Sequence, residues 1–276
     1  MSFAYIFVWQ DFFQFSFEQI GGNLCVFAAE QAGTFLFLPP LGKTIATKAV
    51  QSCFERMQCV NKKTAVSRIE NVSLMQLAAF LPENFEFYKR GYEYLYFRKD
   101  LAALRAEGYK SKRNAYNHFV KNFTYQYRPY DVSMAEECLE LYDSWKNAKR
   151  AALTQEVDLA LLEDSQLVHR RILMDFARLN VVERVVEVNG KIAAYTFGYF
   201  VGSQSFCVLL EVADSRYRGL ATYIFCRLCQ DPLLQEAKFI NAMDDFALQN
   251  VNRTKMSFRP CALLPVYAAS LAQERI

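Results

Sequence analysis

From Tyr5 to Pro40 apolar and polar residues alternate in short, aromatic-rich runs that break at Gly21-Gly22-Asn23 and at Gln31-Ala32-Gly33. This predicts an antiparallel meander with tight turns at the two breaks. After Pro39-Pro40-Leu41-Gly42 the period lengthens: Ile45, Val50, Phe54 and Met57 share one helical face, and Ser73 to Leu81 reads as a second short helix. Strands followed by helices give this half an α+β character. A strand over Tyr92 to Phe97 then leads into Asp100 to Phe123, rich in basic residues and asparagine, which reads as a connector.

The second half opens with helices. Ala135, Cys138, Leu139, Tyr142 and Trp145 lie at helical spacing within Ser133 to Ala148, and Leu161 to Leu179 offers another helix. Next come two β-rich runs, Val182 to Val188 and Lys191 to Phe200, flanking Asn189-Gly190, the dipeptide favoured in a type I′ hairpin turn. Phe206 to Val212 is almost wholly apolar and reads as a central strand, Leu220 to Cys229 as a helix, and Phe239 to Ala242 as a last strand before a polar helix and the Ser257 to Ala269 stretch. The chain has 276 residues, long for one compact domain of roughly 100–200. Two domains are expected, 1–125 including the basic connector helix and 126–276.

Composition narrows the class. With 53% hydrophobic and 15% aromatic residues against 22% charged, the chain can bury enough apolar surface to offset its conformational entropy, which excludes a disordered protein. No apolar run reaches the ~18–20 residues of a bilayer span, and no basic residue precedes the apolar start Phe3 to Trp9. The expectation is a cytoplasmic protein without a transmembrane segment. Its eight cysteines are scattered among apolar neighbours, as in Leu24-Cys25-Val26, and read as buried thiols. Cys226 and Cys229 form a single CxxC inside a helical pattern, with only His118 and His169 to complete a site, so no metal is expected. A net charge of +3 does not by itself call for a nucleic-acid or membrane partner.

The chemistry concentrates after Leu210-Glu211-Val212-Ala213, where Arg216, Tyr217, Arg218, Gly219, Leu220 and Ala221 stand between the buried strand and the helix. Glycine and alanine let an anion approach the backbone, first-turn amides and the helix dipole attract it, and Arg216 and Arg218 add charge-assisted bonds. This stretch resembles the Q/R-x-x-G-x-G/A donor loop of the GNAT acyltransferases, and the element order is similar to theirs. That resemblance implies an acyl-CoA co-substrate held by Val212, Ala213, Arg216, Arg218, Gly219 and Ala221. The alternative is a turn whose arginines are merely solvated.

Three further stretches, Gly108-Tyr109-Lys110-Ser111-Lys112-Arg113-Asn114-Ala115-Tyr116-Asn117-His118-Phe119, Ile240-Asn241-Ala242-Met243-Asp244-Asp245 and Arg253-Thr254-Lys255-Met256-Ser257-Phe258-Arg259-Pro260, resemble segments of the family typified by the C-terminal catalytic domain of phosphatidylglycerol lysyltransferase. Asn252 stands where that family carries leucine. The resemblance implies two tandem GNAT-like domains, each a mixed, largely antiparallel sheet flanked by helices. It also implies an aminoacyl-tRNA donor as the alternative to acyl-CoA, a small-molecule or lipid head-group acceptor, and Tyr267 as a candidate acid.

Acyl transfer needs a base for the attacking group and an acid for the leaving group. Glu211, at the end of the central strand, is the candidate base, against the alternative of a surface carboxylate paired with arginine. Asp244 and Asp245 end the next strand and either approach the same cleft or cap the following helix. Lys110, Arg113, Asn114 and Asn117 share a helical face, with Lys112 in the same basic stretch, and could bind phosphate, carboxylate or tRNA; Lys255 and Arg259 could join them. The ordinary alternative is a solvated basic face. A competing function is a non-catalytic tandem module that binds a nucleotide-like ligand or a protein partner.

Overall fold

The computed structural model describes residues 2–62, 66–80, 84–150, 156–245 and 249–272, with 156–164 as backbone only. The chain forms two compact units, each built from separate stretches. Met1–Trp9, Tyr94–Met243 and Asn252–Ala262 make the larger; Gln10–Glu93, Asp244–Val251 and Leu263–Ile276 make the smaller.

The chain enters through a short helix of the larger unit, α1 (Phe3–Phe7). The expected meander therefore starts later than Tyr5. In the smaller unit β1 (Gln14–Ile20), β2 (Asn23–Glu30) and β3 (Gly33–Leu36) pair antiparallel, with Ile20 opposite Asn23 and Glu30 opposite Gly33 at the two turns. Gly21 and Gly22 have φ of 57° and 82°, the left-handed pair that a type I′ turn demands. Helix α2 (Thr47–Val60) buries Val50, Phe54 and Met57 as their spacing predicts, with Ala49 and Cys53 beside them, while Ile45 precedes the helix. β4 (Arg68–Ser73) follows, and Ser73 and Gln76 cap a 3-10 turn over Leu74–Ala79 reciprocally. The helix expected over Ser73 to Leu81 is thus this tighter turn, and Leu81 lies outside the described residues. β5 (Phe85–Phe97) begins in this unit, and β11 (Ala262–Leu271) pairs antiparallel with β4, Tyr267 opposite Val72.

In the larger unit the end of β5 runs into α3 (Arg98–Ala103) and α4 (Lys110–Asn122), then β6 (Tyr125–Pro129), α5 (Ala135–Arg150) and α6 (Glu156–Asp175). The hairpin β7 (Val182–Val188) and β8 (Lys191–Val201) turns at Asn189 and Gly190, whose φ values are 53° and 78°. β9 (Ser205–Ala213), α7 (Leu220–Cys229), β10 (Phe239–Asn241) and the part of α8 (Gln249–Met256) from Asn252 on complete it. Its strands run in the order β5-β10-β9-β8-β7-β6, antiparallel except for the β9–β10 pair. Phe119 of α4 and Leu220, Tyr223 and Ile224 of α7 pack on Val186, Val188 and Ala194. Alternation along β8 turns Tyr195 and Phe197 the other way, where Tyr195 bonds His169 and both rings lie in an aromatic cluster with Tyr130 and Tyr142. Gly198 sits at a break in the β8–β9 register, where a Cβ would run into the Phe206 ring.

Candidate active site

The site begins where two strands part. β10 pairs with β9 only over Phe239–Ser205, Ile240–Phe206 and Asn241–Cys207, whereas β8 accompanies β9 on its other side to Ala213. Among the described residues, β9 from Val208 to Ala213 therefore has no strand beside it on the β10 edge. Local bonds turn β10 aside. Asn241 Oδ1 accepts from Met243 N at 2.7 Å, Met243 adopts a left-handed φ of 56°, and Lys255 Nζ donates to the carbonyls of Ala242 (2.6 Å) and Met243 (3.2 Å). Tyr96 donates its hydroxyl to the Lys255 carbonyl at 2.9 Å, and Asn252 donates to the Tyr94 hydroxyl at 2.6 Å. Lys255, expected at the substrate, thus anchors the exit of β10.

Glu211 lies on that uncovered stretch of β9, directly opposite the fully buried Thr196 of β8. Although the residue as a whole is partly exposed, its Oε2 is sealed from solvent and has no hydrogen-bond partner. Burial pushes the carboxyl pKa up to about 8, against the smaller opposing pull of a Thr196 hydrogen bond. Two buried thiols of α7 feel the same carboxyl electrostatically. Cys226 is raised to about 12, chiefly by burial and then by Glu211, and Cys229 is raised well above its usual value.

Lys112 lies in α4. Its ammonium rests 3.8 Å from the centroid of the Phe258 ring, which is itself braced edge-on by Phe225 at 4.9 Å. Burial lowers the Lys112 pKa, and the Cys226 sulfur opposes the shift. Among the described residues no carboxylate or hydrogen-bond acceptor contacts this ammonium.

The loop Arg216 to Ala221 holds less free charge than its sequence suggests. Arg216 donates through Nε and Nη2 to both carboxylate oxygens of Asp214 at 2.6–3.0 Å, and its backbone N–H joins them at 2.9 Å. Burial of Asp214 raises its pKa, and the Arg216 bonds outweigh that, leaving it below the usual carboxylate range. Gly219 caps α7 at a left-handed φ of 94°, and a Cβ there would overlap the Ala115 carbonyl oxygen of α4. Its missing side chain is therefore required by helix packing. Arg218 and Ala221 are exposed, while Val212 is buried and Ala213 packs at the edge of the α4–α7 core. Leu220 N bonds Tyr217 O, and Tyr223 N makes the first helical bond to Gly219 O. The amides of Ala221 and Thr222 are thus first-turn donors that the helix cannot pair within itself.

The remaining candidates separate. Arg113 donates to the carbonyls of Leu104, Arg105 and Ala106 at the end of α3, so its charge serves a helix terminus. Lys110 is exposed and pairs with Glu107 at 3.6 Å, and Asn114, Asn117 and Arg259 face solvent. Asp244, Asp245 and Tyr267 belong to the smaller unit, where Asp245 is 4% exposed beside Gly91 and Tyr267 lies in β11. Thr196, Phe258 and Cys226 are site residues that sequence reasoning did not select; register opposite Glu211 is the one signal that could have found Thr196. Among the described residues no cluster of three His, Cys, Asp or Glu could hold a metal, and no helix is long and apolar enough to cross a membrane.

Solved structures share this fold. A conserved protein of unknown function from Bacteroides thetaiotaomicron superposes with a TM-score of 0.85 at 24% identity, over 98% of this chain and 90% of that one. The C-terminal domain of a putative lysylphosphatidylglycerol synthetase from Agrobacterium fabrum gives 0.71 at 14% identity, over 99% and 89%. L-PGS from Bacillus licheniformis gives 0.65 at 14%, over 94% and 83%. No curated protein matches the sequence. Residues 1–270 match the C-terminal family of phosphatidylglycerol lysyltransferase, and with nearly the whole length so matched the chain belongs to that family.

Proposed function

We propose that the chain is an aminoacyltransferase that takes its acyl group from the 3′ end of a charged tRNA and passes it to a hydroxyl or amine, with Glu211 accepting the proton of the attacking atom. One observation carries the reading: a buried carboxyl with an unpartnered oxygen on the part of β9 that β10 leaves uncovered. An ester carbonyl is attacked by a nucleophile that loses its proton, and a carboxylate with a pKa of about 8 is a far better base than a surface glutamate. Family membership supports an aminoacyl donor, makes phosphatidylglycerol the first acceptor to try, and suits a cytoplasmic setting where charged tRNA is available. A tandem pair of GNAT-like halves, divided near residue 125, is part of the same reading; the succession of hairpin, strand, glycine turn and helix in the second half supports it.

A second reading, an acyl-CoA donor, is favoured by the Arg216 to Ala221 sequence and the first-turn amides of α7. Against it, one edge of the Arg216 guanidinium already donates to both carboxylate oxygens of Asp214. The test presents labelled lysyl-tRNA and vesicles containing phosphatidylglycerol to the purified protein, alongside a calorimetric titration with acetyl-CoA. Label moving into lipid, with no heat from acetyl-CoA, is expected. Micromolar acetyl-CoA binding without transfer from any aminoacyl-tRNA would establish the second reading instead.

A further inference from the structure

Resting on the reading above, we propose that Thr196 is a positioning residue of the site: its hydroxyl holds the Glu211 carboxyl by one oxygen and leaves Oε2 to the attacking acceptor. The strand register carries this. Thr196 of β8 and Glu211 of β9 are directly opposite partners of an antiparallel pair, so both side chains leave the same face of the sheet with Cβ atoms about 5 Å apart. Thr196 is fully buried, on the face where Ala194 packs into the apolar α4–α7 core. Its hydroxyl donates to the Leu210 carbonyl at 3.3 Å, a long bond for an O–H donor.

A hydroxyl suits a neighbour that changes protonation, because it has one proton to give, lone pairs to accept, and freedom to rotate between them. While Glu211 is neutral, the Thr196 proton stays on the Leu210 carbonyl and its oxygen accepts from the carboxyl. Once Glu211 has given up its proton, the hydroxyl turns and donates to the carboxylate. Both states are thereby held from the β8 side, and Oε2, which has no partner among the described residues, is left for the acceptor. The ionisable groups nearby do not fill this role. Cys226 and Cys229 of α7 are kept as neutral thiols by burial. Arg184 of β7 stands opposite Thr196 in the same row, one strand farther from Glu211, and its Nε and Nη2 both donate to Asp231. Thr196 lies between that ion pair and the carboxyl. Its bond also opposes the desolvation that raises Glu211, so the hydroxyl tempers the proton affinity of the base as well as its orientation.

Carbon-13 labelling of glutamate carboxyls reads the Glu211 titration in the free protein, for wild type, Thr196→Val and Thr196→Ser, with Glu211→Gln to assign the signal. Valine keeps the branched shape and removes the hydroxyl; serine keeps the hydroxyl. The midpoint should rise by about one to two pH units in Thr196→Val, the worth of a hydrogen bond to a charged group, and stay at about 8 in Thr196→Ser. The pH profile of single-turnover lysyl transfer should move upward with it in Thr196→Val and keep its place in Thr196→Ser. An unmoved midpoint in Thr196→Val, or an equal rise in Thr196→Ser, overturns the assignment, the second by reducing Thr196 to packing. A wild-type protein that titrates as stated, with the valine shift, but transfers from no aminoacyl-tRNA would uphold the Thr196–Glu211 bond and sink the aminoacyltransferase reading instead.

Discussion

The carbonyl oxygen of Ala115 stands where a side chain on residue 219 would have to go. The glycine of the Arg216 to Ala221 loop thus answers to the close approach of α4 and to its own left-handed backbone, whatever the loop binds. Gly219→Ala should lower stability by about 2–4 kcal/mol, from overpacking and left-handed strain together, seen as a fall in the urea midpoint. An unchanged midpoint would mean that α4 does not press on this loop.

Glu211 should make stability depend on pH in the direction opposite to most carboxylates. Its folded pKa of about 8 lies above the ordinary 4.5, so between these values the folded state binds a proton that the unfolded state has released. Its contribution is intact below pH 4.5 and is lost as pH rises toward 8, at up to ~1.4 kcal/mol per pH unit. Glu211→Gln should therefore match wild type in thermal unfolding near pH 4 and exceed it progressively up to pH 8. A constant difference across that range would contradict a raised Glu211.

The pair Arg184–Asp231 is buried, with side chains 10% and 3% exposed and bonds of 2.6 and 3.1 Å, and Tyr127 donates to the same carboxylate. Asp231→Ala strands a buried guanidinium and should cost about 3–5 kcal/mol in chemical denaturation. Replacing both partners with apolar residues should recover much of that loss.

Lys255 gives a further check on how the cleft is kept open. If it holds β10 aside, Lys255→Met should speed amide exchange at Ala242, whose N–H bonds the Tyr94 carbonyl, without touching the β8–β9 pairs. A lysine that only contacts substrate would leave that exchange unchanged in the free protein.

What could be read from the sequence was what local chemistry decides. Asn189-Gly190 names its own turn, and the apolar run of β9 and the helical period of α7 need no partner to be recognised. β6 escaped because Tyr125-Gln126-Tyr127-Arg128-Pro129 is a strand only by pairing with β7, and α1 because five aromatic and aliphatic residues carry no helical period. The site divides in the same way. Glu211 is legible from its place at a strand end, but no local pattern shows that Lys255, beyond the end of β10, bonds the Ala242 and Met243 carbonyls there. Likewise nothing in the order Lys110 to Asn117 shows that Arg113 turns to α3 while Lys112 turns to Phe258.

Glu211 as the proton acceptor is tested most directly by the pH dependence of single-turnover lysyl transfer by wild type and Glu211→Gln. The wild-type rate should climb with pH and level off above about 8, while the variant, with donor affinity preserved, falls by roughly 10²–10⁴-fold and loses the climb. A Glu211→Gln protein that keeps both the wild-type rate and its pH dependence would contradict the account.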